Sequence, residues 1–322
     1  MKRHLTLIIT LMFGLTTRSE DTRPSMSRAL LHNTVRIETF KNDGTVHVGT
    51  GFFYNFEAAD KSSSCPVVVT CWHVIAGSTN GRMYFAQASS NVIARAQEHL
   101  TAELTSFENR WIRHPDTNID LAVLPIGPII KMLEENRLML DFAPIDESLI
   151  PGESVLRDCG VFQEVKLIGY PVGIWDEKNN LPIVRRGMTA SDPVVDYNGR
   201  SEFLVDAAVF PGSSGSPVYI AEEGGRVLPV GRAGMTLGGP RINFLGILYA
   251  VYEYTSEGKV EIVTIPTAFD FKVKTHTPAN LGLVVKASRL NDFKDVLERI
   301  RKQQEEIARK LAEPKAASPP SK

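Results

Sequence analysis

The sequence has only three cysteines, too few and too poorly spaced for a disulfide framework. Cys65 and Cys71 fall in a run that reads as one strand, which sets them about 20 Å apart at ~3.3 Å per residue. A disulfide cannot bridge that gap, and Cys71 reads as a small buried hydrophobe, not a nucleophile. A dominant charge is also missing. The chain carries 36 basic and 37 acidic residues for a formal net charge of −1, which removes the electrostatic case for nucleic acid as a partner. The apolar run near the start, Leu5 to Leu15, falls well short of the roughly 20 residues a spanning helix requires. With Lys2, Arg3 and His4 ahead of it, the run has the form of an export signal over residues 1–20, although no Ala-x-Ala cleavage site follows. No cysteine stands there to take a lipid, so no stable membrane anchor is expected, and the chain is expected to be exported. His4, His32, His47, His99, His114 and His276 show no metal-ligand spacing. No metal or cofactor is expected, and no internal repeat is present.

What the chain does have, from about residue 34 to 265, is a succession of short apolar runs punctuated by Gly, Pro, Asn and Asp. Val35 to Phe40, Thr45 to Tyr54, Pro66 to Thr70, Leu121 to Ile126, Glu164 to Tyr170, Phe203 to Val209 and Phe244 to Tyr254 all read as strands. The pattern predicts an all-β sandwich or barrel, interrupted by one short helix over Pro128 to Leu140. After residue 288 the period changes. Between Arg289 and Leu311 there is neither Gly nor Pro, and Phe293, Val296, Leu297, Ile300, Ile307 and Leu311 recur at helical spacing among charges. An amphipathic helix over 289–313, capped at Asn291, is expected either to pack on the barrel or to mediate self-association. Residues 314–322 have the composition of a disordered tail.

Three separated segments carry chemistry. His73 closes the apolar run Val67-Val68-Val69-Thr70-Cys71-Trp72-His73, Asp120 opens Asp120-Leu121-Ala122-Val123-Leu124, and Ser214 sits in Pro211-Gly212-Ser213-Ser214-Gly215-Ser216-Pro217. A serine hydroxyl attacks a carbonyl only when a base takes its proton. Imidazole suits that task because it is largely neutral near pH 7 yet readily becomes a cation. A carboxylate then fixes the ring tautomer, and an aspartate leading an apolar strand is costly to bury without such a partner. The backbone N–H groups of Gly212 and Ser214 would meet the developing oxyanion. Ser213 and Ser216 are competing hydroxyls, but only Ser214 has Gly both two before and one after it. Asp116 and Asp120 could also be simple solvated acids. The order His, Asp, Ser is that of chymotrypsin and differs from subtilisin and the α/β-hydrolases.

These segments resemble the trypsin-like serine peptidases of the HtrA/Do-like kind, over roughly residues 30–288. Gly49-Thr50-Gly51-Phe52, Val69 to Ile75, Asp120 to Val123, Ile168-Gly169-Tyr170-Pro171-Val172-Gly173, Arg186 to Ser191, Asp206 to Pro217 and Leu245 to Tyr249 carry the likeness. The resemblance implies two six-stranded antiparallel β-barrels with the triad between them, and a protein or peptide as substrate. It also implies a primary pocket with Ala208 at its base and Tyr249, Ala250 and Val251 on its wall. With no acid at that base, small or medium aliphatic P1 residues are expected. Ser213 stands where pancreatic-type proteases carry Asp, so a zymogen switch through a new N-terminal amine has no partner. The stretch after residue 288 is too short for a PDZ domain, which leaves a protease core. The alternatives are a silent binding scaffold with the same barrel, or an esterase using the same triad.

Overall fold

The structure, a computed structural model, describes residues 26–58, 63–88, 99–222, 226–230, 234–238, 241–260 and 271–312. The export signal, residues 1–20, and the tail, residues 314–322, lie outside them. Seven strands build the first half: β1 (Thr34–Lys41), β2 (Val46–Glu57), β3 (Ser64–Thr70), β4 (Ser78–Ala86), β5 (His99–Thr105), β6 (Ile112–Arg113) and β7 (Ala122–Pro125). They form one sheet in the order β5-β4-β1-β2-β3-β7-β6. The second half contributes β8 (Glu164–Gly169), β9 (Ile183–Thr189), β10 (Glu202–Asp206), β11 (Pro217–Glu222), the hairpin of β12 (Arg226–Val230) and β13 (Gly234–Gly238), β14 (Arg241–Val260) and β15 (Phe271–Lys286). Six of these close a barrel in the order β10-β15-β14-β11-β8-β9. This is the chymotrypsin-like arrangement expected, with one difference. The first half is a seven-stranded sheet whose two end strands do not pair with each other among the described residues: β5 pairs only with β4 and β6 only with β7.

Burial explains why the β-runs hold. Val35 and Ile37 alternate inward on β1, as a half-buried strand requires, whereas Val67, Val68 and Val69 on β3 are all fully buried, the pattern of a strand covered on both faces. The first core gathers Phe52, Phe85, Phe107 and Trp111, and it continues across the boundary to Ile168, Tyr219, Phe244, Ile247 and Val285 of the second half. Phe52 and Phe244 meet edge to face at 5.4 Å between ring centroids. Beside them Tyr219 donates its hydroxyl proton to Asn33 Oδ1 at 2.8 Å. The second core, inside the closed barrel, contains Val165, Phe203, Val205, Val218, Ile220 and Leu248. The two halves therefore share an apolar seam, and a groove runs along its edge.

The expected short helix is present at Gly127–Glu135. A second, Glu153–Cys159, has no strong periodic signal. The C-terminal helix begins differently from the expectation. Ala287–Phe293 forms 3₁₀ turns and the α-helix runs from Lys294 to Ala312, so Asn291 lies within the 3₁₀ segment and does not cap the helix. The reason is packing. Ala287, Leu290 and Phe293 are all buried and spaced three apart, and only a three-residue period stacks them on one line. Leu297 continues that contact, while Ile307 is exposed. The buried His114 ring seals the junction, with its Nε2 3.1 Å from the Arg289 carbonyl oxygen and its face edge-on to Phe293. All three cysteines are free. Among the described residues no helix is long and apolar enough to cross a membrane.

Candidate active site

The buried valines of β3 deliver the chain to a single helical turn, Trp72–Ile75, in which Val74 and Ile75 point inward. His73 is thereby left with 48% of its side chain exposed. The pairing of Thr70 with Ala122 sets the start of β7 beside this turn and brings Asp120 against it. One carboxylate oxygen, Oδ1, accepts the His73 backbone N–H at 2.9 Å. The other, Oδ2, is hydrogen-bonded to His73 Nδ1. Held at ring and backbone together, the imidazole has one orientation, and its Nε2 is the nitrogen left for another partner.

Ser214 approaches from the second half. Its turn is fixed almost entirely by backbone bonds. The Thr50 N–H donates to the Ser214 carbonyl at 2.9 Å, Gly215 N–H to the Leu248 carbonyl at 2.8 Å, and Ser216 N–H to Ser213 at 3.0 Å. The Thr50 hydroxyl donates to the Gly212 carbonyl at 2.9 Å and accepts the Tyr170 N–H at 3.1 Å. Gly212 and Gly215 both have φ near +90°, a conformation open to glycine and strained for other residues. A Cβ at Gly215 would run into the Thr50 carbonyl and the Thr70 hydroxyl. Gly215→Ala is therefore expected to destabilise the fold by about 3 kcal/mol or more, read as a lower urea midpoint. An unchanged midpoint would contradict this geometry.

Ser214 and His73 line the same cleft, of about 290 Å³. The two competing serines do not reach it. Ser213 and Ser216 are buried at 5% and 2% exposure and face a separate small void behind the turn. The N–H groups of Gly212 and Ser214 donate to no acceptor among the described residues, so both are free to receive an anion. Tyr249, Ala250 and Val251 line the cleft, together with Val209, Phe210, Leu248 and the exposed Glu253. Ala208 does not. It lines the void with Ser213 and Ser216, while its neighbour Val209 lines the cleft.

Thr50 lies in a strand motif that carries the resemblance but gives it no role, and its hydroxyl and N–H tie β2 to the Ser214 turn. Its sequence signal is a hydroxyl between two glycines in that motif. Cys71, fully buried, donates its S–H to the Leu248 carbonyl. Burial first, and then the Asp120 charge, push its thiol well above the usual range. Cys71, His73 and Asp120 are the one group among the described residues whose donor atoms lie close enough, within 4.8 Å, to share an ion. Both oxygens of Asp120 are already engaged by His73 and the thiol keeps its proton, so these atoms are arranged as a hydrogen-bond network and not as a ligand set. Burial also raises the Tyr249 hydroxyl, aided by its 2.6 Å bond to the buried Glu202 carboxylate.

A family model described as trypsin-like peptidase domain matches residues 49–230. None of the curated proteins compared with the chain matches it. Several solved structures resemble it at low identity. The active form of the Rv3671c protease from M. tuberculosis is 15% identical over 82% of this chain and 80% of that one, with a TM-score of 0.35. The HtrA-type protease AlgW with tripeptide is 17% identical over 84% and 64%, with a TM-score of 0.41. Deg5 is 16% identical over 69% and 81%, with a TM-score of 0.38.

Proposed function

The chain belongs to the trypsin-like peptidase family and is a serine-type endopeptidase, and from that premise we propose that Ser214, His73 and Asp120 carry the hydrolysis through an acyl-enzyme. The supporting observation is His73, bonded twice to Asp120, lining the same cleft as Ser214. As Ser214 Oγ attacks the scissile carbonyl carbon, its proton passes to His73 Nε2. The carbonyl π electrons move onto oxygen, where the Gly212 and Ser214 N–H groups receive the charge. The carbonyl re-forms, the C–N bond breaks, and the amine leaves with the proton held by His73. Water then attacks the ester by the same route, its proton going to His73 and on to Ser214, and the acid product departs. Throughout, Asp120 stabilises the transient imidazolium and needs no proton of its own.

Substrate binding follows from the sheet edge. β14 pairs with β11 only as far as Ile247, while on its other edge it pairs with β15 from Gly246 to Val260, so from Tyr249 onward its β11-side edge carries no strand among the described residues. An extended peptide can add there by backbone pairing, which aims the P1 side chain at Val209, Leu248, Ala250 and Val251. That lining favours small or medium aliphatic P1 residues. A peptide library should report Val, Ala, Ile or Leu at P1; dominance of Lys or Arg would overturn this. The positive start and apolar run at residues 2–15 support export.

Intact-mass and peptide mapping after fluorophosphonate treatment tests the assignment of the nucleophile. One adduct on Ser214 is expected. An adduct on another serine would reassign the site, and no adduct at all would favour a binding scaffold. Casein and simple esters assayed side by side separate a peptidase from an esterase.

A further inference from the structure

One strained residue stands beside the cleft. Val172 has φ +53° and ψ +23° inside the turn Pro171–Gly173, the left-handed region that a β-branched side chain enters at a cost. The residue is 63% exposed, so burial does not compensate for that conformation. Backbone bonds do. The Gly173 and Ile174 N–H groups donate to the Tyr170 and Pro171 carbonyls at 2.9 Å each, and the Val172 N–H donates to the Pro211 carbonyl at 2.6 Å. The last of these bears on the chemistry. In a planar trans peptide the C=O and N–H point to opposite sides. By holding the Pro211 carbonyl, Val172 turns the Gly212 N–H the other way and leaves it without an internal acceptor. A flipped peptide would present a carbonyl where an oxyanion donor is needed.

The turn has its own anchor. Trp175, three residues on, leaves the second half of the molecule and docks on the first. The Arg36 guanidinium lies 5.3 Å from its ring centroid and 5.1 Å from that of Tyr84. The Tyr84 and His99 rings are 5.1 and 5.6 Å from Trp175. Buried Tyr170, at the other end of the turn, is 6.4 Å away. An aromatic and cationic cradle on β1, β4 and β5 thus clamps the turn that holds the peptide before Gly212.

We propose that the segment Pro171–Trp175 is a brace that presets the oxyanion donor at Gly212, with Val172 and Trp175 as its positioning residues. The inference rests on the assignment of Ser214 above, so the unmodified chain must first take up the fluorophosphonate at Ser214 and turn over a peptide. Val172→Pro removes the N–H and forbids positive φ. Its kcat per titrated site should fall about 100-fold, the usual cost of one oxyanion donor, with KM changed less than about threefold. Affinity for a peptide aldehyde, whose adduct mimics the tetrahedral intermediate, should fall by the same factor as kcat. Val172→Gly, which keeps the N–H and suits the φ, should recover most of that loss. Trp175→Ala should lower kcat about tenfold by the same split, with Trp175→Phe recovering it. If Val172→Pro does not fold, the Trp175 pair decides. Turnover within threefold of the unmodified chain in Trp175→Ala, or loss appearing in KM with aldehyde affinity unchanged, overturns the brace even though the Ser214 assignment stands.

Discussion

Replacing Ser214 with alanine should lower kcat by about a millionfold, leaving the ~10³–10⁴-fold advantage over water that binding and oxyanion donors still supply. The fold should survive. What holds the turn is the Thr50 N–H on the Ser214 carbonyl, the Gly215 N–H on Leu248 and the Thr50 hydroxyl on Gly212, and alanine keeps every one of those backbone groups. Thermal unfolding should therefore shift by no more than a half-exposed substitution usually does, within about 0.5 kcal/mol. The neighbouring serines supply the control. Ser213 and Ser216 are buried behind the turn, so Ser213→Ala and Ser216→Ala should retain turnover within about tenfold. Either could lose about 1 kcal/mol of stability through a buried hydroxyl. Steady-state kinetics on one peptide substrate decides the matter. If Ser216→Ala is the variant that loses six orders of magnitude and Ser214→Ala is not, the nucleophile has been misassigned.

The candidate triad was legible as a proposal because each member is announced locally: a serine between glycines, a histidine at the end of an apolar strand, an aspartate at the start of another. The barrel was legible for the same reason, since short apolar runs cut by turn residues leave little else to build. What escaped the sequence depends on the path of the chain between elements. Ala208 was expected at the pocket base by counting back from Ser214. But β10 ends at Asp206, and beyond a strand the alternation of faces no longer holds. The chain turns, Ala208 faces the void behind Ser213, and Val209 and Phe210 line the cleft instead. Thr50 escaped because its value lies in two backbone partners, Gly212 and Ser214, that come from the other half of the molecule. The start of the C-terminal helix escaped because the periods of 3.0 and 3.6 are hard to tell apart over the seven residues Ala287–Phe293. Only the burial of Ala287, Leu290 and Phe293 separates them. Nothing in residue type marked Val172, whose strain exists only in the folded backbone.

Asp120→Asn is expected to cost about 10⁴-fold in kcat with little change in stability, and the hydrogen bonds on Asp120 say why. The carboxylate serves two donors: the His73 backbone N–H on Oδ1 at 2.9 Å and the ring Nδ1–H on Oδ2. Asparagine has one carbonyl oxygen to offer. The backbone N–H can only donate, so the amide oxygen must face it and the NH₂ group must face the ring. Nδ1 then has to accept, which leaves its proton on Nε2, the nitrogen proposed to take the Ser214 proton. A protonated Nε2 cannot take the hydroxyl proton. The geometry stays and the base is switched off. The substitution makes a second prediction independent of rate. Nitrogen NMR of His73 in the resting protein should report a protonated Nδ1 in the unmodified chain and a protonated Nε2 in Asp120→Asn. Thermal unfolding should remain close to that of the unmodified chain, because both hydrogen bonds persist with one reversed. Turnover within tenfold of the unmodified chain, or an unchanged tautomer, would remove Asp120 from the mechanism and make its contact with His73 a matter of packing alone.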